Sequence, residues 1–162
     1  AYRNFEGVNA KVARISMTYG PGIGLKDERV LAHFLRQAIY EKKITMLDDG
    51  SKIRTFCYIA DCVLMLLYIM LYGKDFVYNV GGKDSISIRA LAEEICLLTG
   101  STLSEEILCK EPLQNIKVSP KLVKLDITKV TTEFPLPPFK PFREGLARTI
   151  EWNRVVNGLT GF

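Results

Sequence analysis

The run Lys11-Val12-Ala13-Arg14-Ile15-Ser16-Met17-Thr18-Tyr19-Gly20-Pro21-Gly22-Ile23-Gly24 passes from an apolar strand into a glycine-rich bend. Val12, Ala13, Ile15 and Met17 are spaced too closely for a strand with one wet face, and they suit a strand buried on both faces, as in a parallel sheet. Helix and strand patterns alternate after it. Val30, Phe34, Leu35, Ala38 and Ile39 recur at helical spacing over residues 29–40, with Asp27 and Glu28 near the start where the macrodipole favours acids. Short extended pieces follow at 44–47 and 54–59, joined by the turn residues Asp48-Asp49-Gly50-Ser51.

Further along, Asp61 is placed to N-cap a helix over 63–71 that Gly73 ends, and residues 76–80 read as a strand. Ser87 caps a helix over 88–98 that Gly100 stops. Residues 103–118 read as irregular and 126–134 as a short helix. Pro135, Pro137, Pro138 and Pro141 then enforce an extended connector before a last helix over 142–156, with Leu146, Ile150 and Trp152 inward. The class is α/β. The first strand finds no obvious neighbour within the chain, so an upstream part of the sheet is expected to be missing.

The 162 residues carry 22 Lys and Arg against 18 Asp and Glu, a net charge of +4, with 48% hydrophobic residues. This is ordinary globular usage, enough for one domain and short for two. So small a charge excess is no nucleic-acid footprint. Lys110, Lys117, Lys121, Lys124 and Lys129 lack interleaved aromatics for base stacking. The longest apolar run, residues 62–72, falls short of a membrane span and reads as a core helix. Cys57, Cys62, Cys96 and Cys109 form no CxxC and find one histidine, His33, so no metal site is expected. Reduced cysteines and the lack of a leader pattern point to a cytoplasmic protein.

Gly20, Gly22 and Gly24 match neither motif: no register of residues 20–27 supplies Walker A, and Leu25 stands where GxGxxG needs its last Gly. A ligand-side turn is the better reading. His33 lies on a helix with no nucleophile elbow in the chain, which suits a surface or capping role. Asp48 and Asp49 are turn formers before they are acid–base candidates. Arg54 stands between a turn and Phe56-Cys57-Tyr58-Ile59, where its guanidinium can meet phosphate oxygens bidentately or pair with an acid; position alone leaves the two equal.

Arg14-Ile15-Ser16-Met17-Thr18-Tyr19-Gly20-Pro21-Gly22, Arg29-Val30 with Phe34, and the series from Asp49 through Arg54 to Asp61 resemble the carboxyl-terminal half of extended short-chain dehydrogenases acting on sugar nucleotides. Tyr78-Asn79-Val80-Gly81, Ser87 to Ala92, Leu125 to Lys129, Glu144-Gly145-Leu146 and Thr149 to Trp152 continue the series in order. Within the NAD-dependent epimerase/dehydratase group, the series resembles UDP-glucuronate decarboxylases and dTDP-glucose 4,6-dehydratases.

The resemblance implies a Rossmann-type parent whose late sheet strand is residues 11–19. Residues 1–162 would be a single partial domain, the substrate-binding half, with the amino-terminal NAD-binding domain absent. The parent would use NAD to make a 4-keto sugar, then epimerise, dehydrate or decarboxylate it, and a homodimer is the expected assembly. This chain alone is expected to be inactive and to bind no NAD tightly. A binding module that kept the fold without catalysis is the alternative.

By resemblance, Tyr19, Arg29 and Val30 line a pocket for a UDP- or dTDP-sugar and Arg54 grips the diphosphate, while Tyr58, Asp61 and Trp152 pack or cap. No catalytic, cofactor-binding or metal residue is implied here. Three positions depart from the family pattern. Met17 replaces an Asn common in the family, Leu47 an aromatic near the base, and Val123 a second phosphate-binding Arg. Lys121 and Lys124 flank Val123 and offer charge without the bidentate fork.

Overall fold

The computed structural model describes residues 7–24, 26–105 and 120–158. Strand β1 (Val12–Ile15) and strand β2 (Met17–Tyr19) are two halves of the expected first strand, separated at Ser16. Helix α1 (Val30–Arg36) widens into a π-helical turn over Gln37–Glu41, which Lys42 ends in the left-handed conformation at φ 55°. Strand β3 (Lys43–Met46), strand β4 (Ile53–Tyr58) and helix α2 (Ile59–Tyr72) follow. Next come β5 (Val77–Val80), β6 (Ser85–Ser87), helix α3 (Ile88–Thr99) and β7 (Thr102–Glu105). Strand β8 (Leu122–Val123), helix α4 (Thr128–Glu133) and helix α5 (Phe142–Val156) complete the order.

The first strand is not an orphan. Val12 to Ile15 pair in parallel with Val77 to Val80, and Met17 to Tyr19 pair in parallel with Phe56 to Tyr58. Ser16 is the switch, donating its amide to the Val80 carbonyl at 2.9 Å as the chain changes neighbours. Nor is the strand buried on both faces: Val12 and Ile15 are exposed, and only Tyr19 is fully covered. Close apolar spacing reports that a segment can be buried, not what covers it.

Strand β4 is the hub. Its second half meets β2, while its first half pairs antiparallel with β6 and in parallel with β8, so that Arg54 faces Ile86 on one side and Val123 on the other. Alternation along β4 feeds two cores. Phe56 and Tyr58 join Leu31, Leu35, Ile44, Leu91, Ile95 and Leu146, and Cys57 joins Cys62, Met65, Ile69, Tyr78 and Phe134. Each fully buried Leu or Ile there contributes about 1.5–3 kcal/mol of transfer free energy.

Local signals place most helix ends. The Ser87 hydroxyl accepts from the Ala90 amide at 3.1 Å, Gly100 closes α3 at φ 71°, and the Gly73 amide donates to the Ile69 carbonyl at the end of α2. Asp61 behaves differently from its expected capping role. Helix α2 begins two residues earlier, and the Asp61 carboxylate reaches across to accept the Lys140 amide at 3.0 Å. Trp152 is half-buried; Asn153, with Leu146 and Ile150, takes the covered face of α5. Of the stretch read as irregular, Thr102–Glu105 is a strand paired with β3, and residues 106–119 lie outside the described residues. No helix of the described residues is long and apolar enough to cross a membrane.

Candidate functional site

The site grows from the turn before β4. Asp48 accepts the Gly50 amide at 3.0 Å, and Asp49 accepts the Ser51 amide at 3.0 Å and its hydroxyl at 2.8 Å, so both acids shape the bend. Those bonds, and for Asp48 chiefly the Lys52 ammonium at 2.6 Å, hold the two carboxyls below the usual range. The turn delivers Lys52 and Arg54, alternate residues, to one face of β4.

Against that face stands α1. Its first residue, Val30, and His33 one turn on line a cavity of about 340 Å³ with Met17, Leu47, Asp48, Lys52 and Arg54. The volume is at the small end of ligand pockets, and the lining, apolar walls with a few convergent charges, is what such pockets use. Arg54 is half-buried, and its Nη1 donates to the Ile53 carbonyl at 2.7 Å. The His33 Nδ1 lies 2.8 Å from the Arg36 guanidinium. Arginine only donates, so Nδ1 accepts and Nε2 carries the ring proton.

Of the residues singled out in sequence, Val30 and Arg54 meet in this cavity. Lys121 and Lys124 flank β8, which runs beside Arg54, and the Lys121 carbonyl accepts the Ile53 amide at 2.8 Å. Both lysines are exposed. Arg29 turns to Asp27 instead, with Nε 2.9 Å from Oδ2, and is not among the cavity's lining residues. Tyr19 is buried, donates to the Phe142 carbonyl at 3.2 Å and lines a separate cleft of about 190 Å³ with Asp61 and Lys140. Burial pushes the Tyr19 phenol well up, so it stays a neutral donor.

His33, read in sequence as a surface or capping residue, Asp48, read as a turn former, and Lys52 also line the cavity. For His33 the signal was available, because i, i+3 spacing puts it on the same helix face as Val30. Lys52 is visible only once the turn is closed. Larger hollows of about 620 and 630 Å³ exist, on α5 and on the outer face of α2. The first sets Arg148, Arg154 and Glu151 among apolar residues and the second Lys74 with Glu133, but neither contains a residue that the sequence reading assigned to the ligand. The arrangement beside Arg54 can hold an anion attached to a small flat group. Among the described residues no three or more His, Cys, Asp or Glu side chains converge to hold a metal.

Residues 1–81 match the model of the NAD dependent epimerase/dehydratase family. UDP-glucuronic acid decarboxylase 1 of Xenopus tropicalis is 34% identical over 154 residues, covering 95% of this chain and 35% of the relative. A dTDP-4-dehydro-6-deoxy-D-allose reductase of a Streptomyces species is 30% identical, covering 95% of this chain and 46% of the relative. Among solved structures, a UDP-glucose 4-epimerase of Thermotoga maritima with UDP-glucose superposes at TM-score 0.81 and 25% identity, over 96% of this chain and 49% of that one. A Bacillus anthracis dTDP-glucose 4,6-dehydratase in complex with NAD, 22% identical with TM-score 0.78, shares the fold. The chain thus spans between about a third and a half of the length of these relatives.

Proposed function

Because this chain belongs to the NAD-dependent epimerase/dehydratase family, we propose that it is the part of such an enzyme that grips the nucleotide end of a UDP- or dTDP-sugar. The observation that carries this reading is the meeting of Arg54, Lys52 and Val30 in one cavity beside the Lys121–Lys124 edge. Arg54 supplies a planar fork for the diphosphate and Lys52 a point charge. Met17, Val30 and Leu47 supply an apolar slot for the base, and His33 offers an N–H at its wall.

The family's cofactor does not fit the residues present. A dinucleotide pyrophosphate needs free amides at a glycine-rich helix start. After the Gly20–Gly24 bend, α1 is only seven residues long, and the Asp27 carboxylate, which accepts the amide and guanidinium of the N-cap residue Arg29, puts a negative charge beside its start. These 162 residues also contain neither GxGxxG nor Tyr-x-x-x-Lys. Hydride transfer and proton abstraction from the sugar therefore fall to groups other than those in this sequence, and the chain by itself binds without turnover.

Calorimetric titration with UDP, dTDP and uridine tests the reading. Both diphosphates should bind, and uridine should bind far more weakly because it lacks the charge that Arg54 and Lys52 face. Equal affinity for uridine and UDP would sink the diphosphate assignment. Conversion of a UDP-sugar by this chain with NAD would sink the division of labour.

A further inference from the structure

We propose that Cys57 and Cys62 form an oxidisable dithiol, a site at which a two-electron oxidant of the peroxide class converts the pair to an intrachain disulfide. Three observations bring the two side chains together. Thr18 is the register partner of Cys57 across the parallel β2–β4 pair, so their side chains share a face. The Thr18 hydroxyl lies 3.8 Å from the Cys62 sulfur, which places that sulfur over the same strand pair from the first turns of α2. Both sulfurs lie in one buried cluster with Met65 and Ile69, where the Cys57 thiol donates to the Tyr58 carbonyl at 3.7 Å and each cysteine shifts the acidity of the other. None of these residues lines the Arg54 cavity, so the proposal stands apart from the nucleotide reading.

The two sulfurs are unequal. The neighbouring Cys57 thiol first, and the Thr18 hydroxyl with it, lower the Cys62 thiol against the opposing effect of burial. The neighbouring Cys62 and burial push Cys57 far up. Cys62 is thus the more acidic sulfur and the attacking group, with Cys57 as the neighbour that resolves it. The thiolate attacks one peroxide oxygen, the O–O bond breaks, and hydroxide leaves, giving Cys62 sulfenic acid. The Cys57 sulfur then displaces the hydroxyl, its proton departing with it as water, and the S–S bond forms. Both sulfurs are oxidised by one electron each, and the peroxide is reduced to water.

The sequence supplies a clean readout. Trypsin cuts after Arg54 and Lys74, which leaves both cysteines in one peptide, 55–74, apart from Cys96 and Cys109. The full chain is treated with hydrogen peroxide, alkylated in denaturant and digested without reductant. The expected result is a 55–74 peptide lighter by two hydrogens and resistant to alkylation, formed faster than in the urea-unfolded chain. In Cys57→Ser, dimedone should trap sulfenic acid at Cys62; in Cys62→Ser, Cys57 should stay unlabelled. Cys57→Ala, which keeps the site apolar, replaces the serine variant if that one unfolds. The proposal is overturned if 55–74 stays doubly alkylated while Cys96 oxidises. It is equally overturned if Cys62 goes to sulfinic acid without passing through the bond, if the bond joins two chains, or if dimedone marks Cys57 instead.

Discussion

Arg54 and Val123 stand side by side, because β8 runs parallel to β4 in a register that also sets Ile53 beside Leu122. In-register neighbours project to one face, so an apolar side chain sits where a second cation would share the load of a diphosphate. Replacing Arg54 by Ala should weaken UDP binding by ~1.5–3 kcal/mol, the range for hydrogen bonds to a charged partner. Val123→Arg should tighten it by about 1 kcal/mol by adding a second fork. Calorimetry on both variants checks the pair. Unchanged affinity in Arg54→Ala would remove the anion from this cavity.

Asp27 is the acid-sensitive point of the loop before α1. Hydrogen bonds from the Arg29 side chain first, and from its backbone amide second, pull the carboxyl from 3.8 to about 2. A folded value below the unfolded one means that the stabilisation is fully present above about pH 4 and is lost as pH falls through about 2. A carboxyl-detected NMR titration should place the Asp27 midpoint well under that of an unstructured aspartate. Asp27→Asn should remove that transition and leave neutral-pH stability nearly unchanged, as expected of an exposed pair. An ordinary midpoint would contradict the geometry.

Gly145 reverses the usual rule for a helix interior. Alanine normally stabilises a helix by about 1 kcal/mol over glycine. Here a Cβ would sit 2.6 Å from the Tyr19 phenol oxygen and 2.8 Å from the Tyr58 ring, inside a packed core. Gly145→Ala should instead destabilise by about 1–3 kcal/mol, the cost of overpacking. Removing the offending oxygen with Tyr19→Phe should recover part of that loss. Thermal unfolding of the two single variants and the double variant measures the coupling.

The buried phenol of Tyr78 ties three segments together. It donates to the Glu133 carboxylate, with the two oxygens at 2.8 and 2.9 Å, and accepts the Asp75 amide at 2.9 Å; Glu133 also takes the Lys74 amide at 3.0 Å. Tyr78→Phe should cost about 1–3 kcal/mol, because Glu133 and the Asp75 amide lose a partner in a half-buried place. Lys129 pairs with Asp75 at 2.7 Å in solvent, so Lys129→Met should shift stability by less than about 1 kcal/mol. Urea denaturation separates the two, and equal effects would count against the network.

What the amino-acid order determined by itself is the local grammar. The Ser87 cap, the Gly100 stop, the Asp48–Asp49 turn, the span of α5 and the succession of family motifs were all readable. Each rests on contacts between residues a few positions apart, and the side chains present carry that information. Tertiary structure decided the rest. The break at Ser16, the pairing of β1 with a strand some 65 residues away, the turning of Asp61 from cap to cross-chain acceptor and the meeting of Thr18, Cys57 and Cys62 all depend on distant partners. Hydrophobic spacing states that a residue needs cover; only the packed chain chooses which neighbour provides it, because burial is non-directional and many neighbours satisfy it equally well.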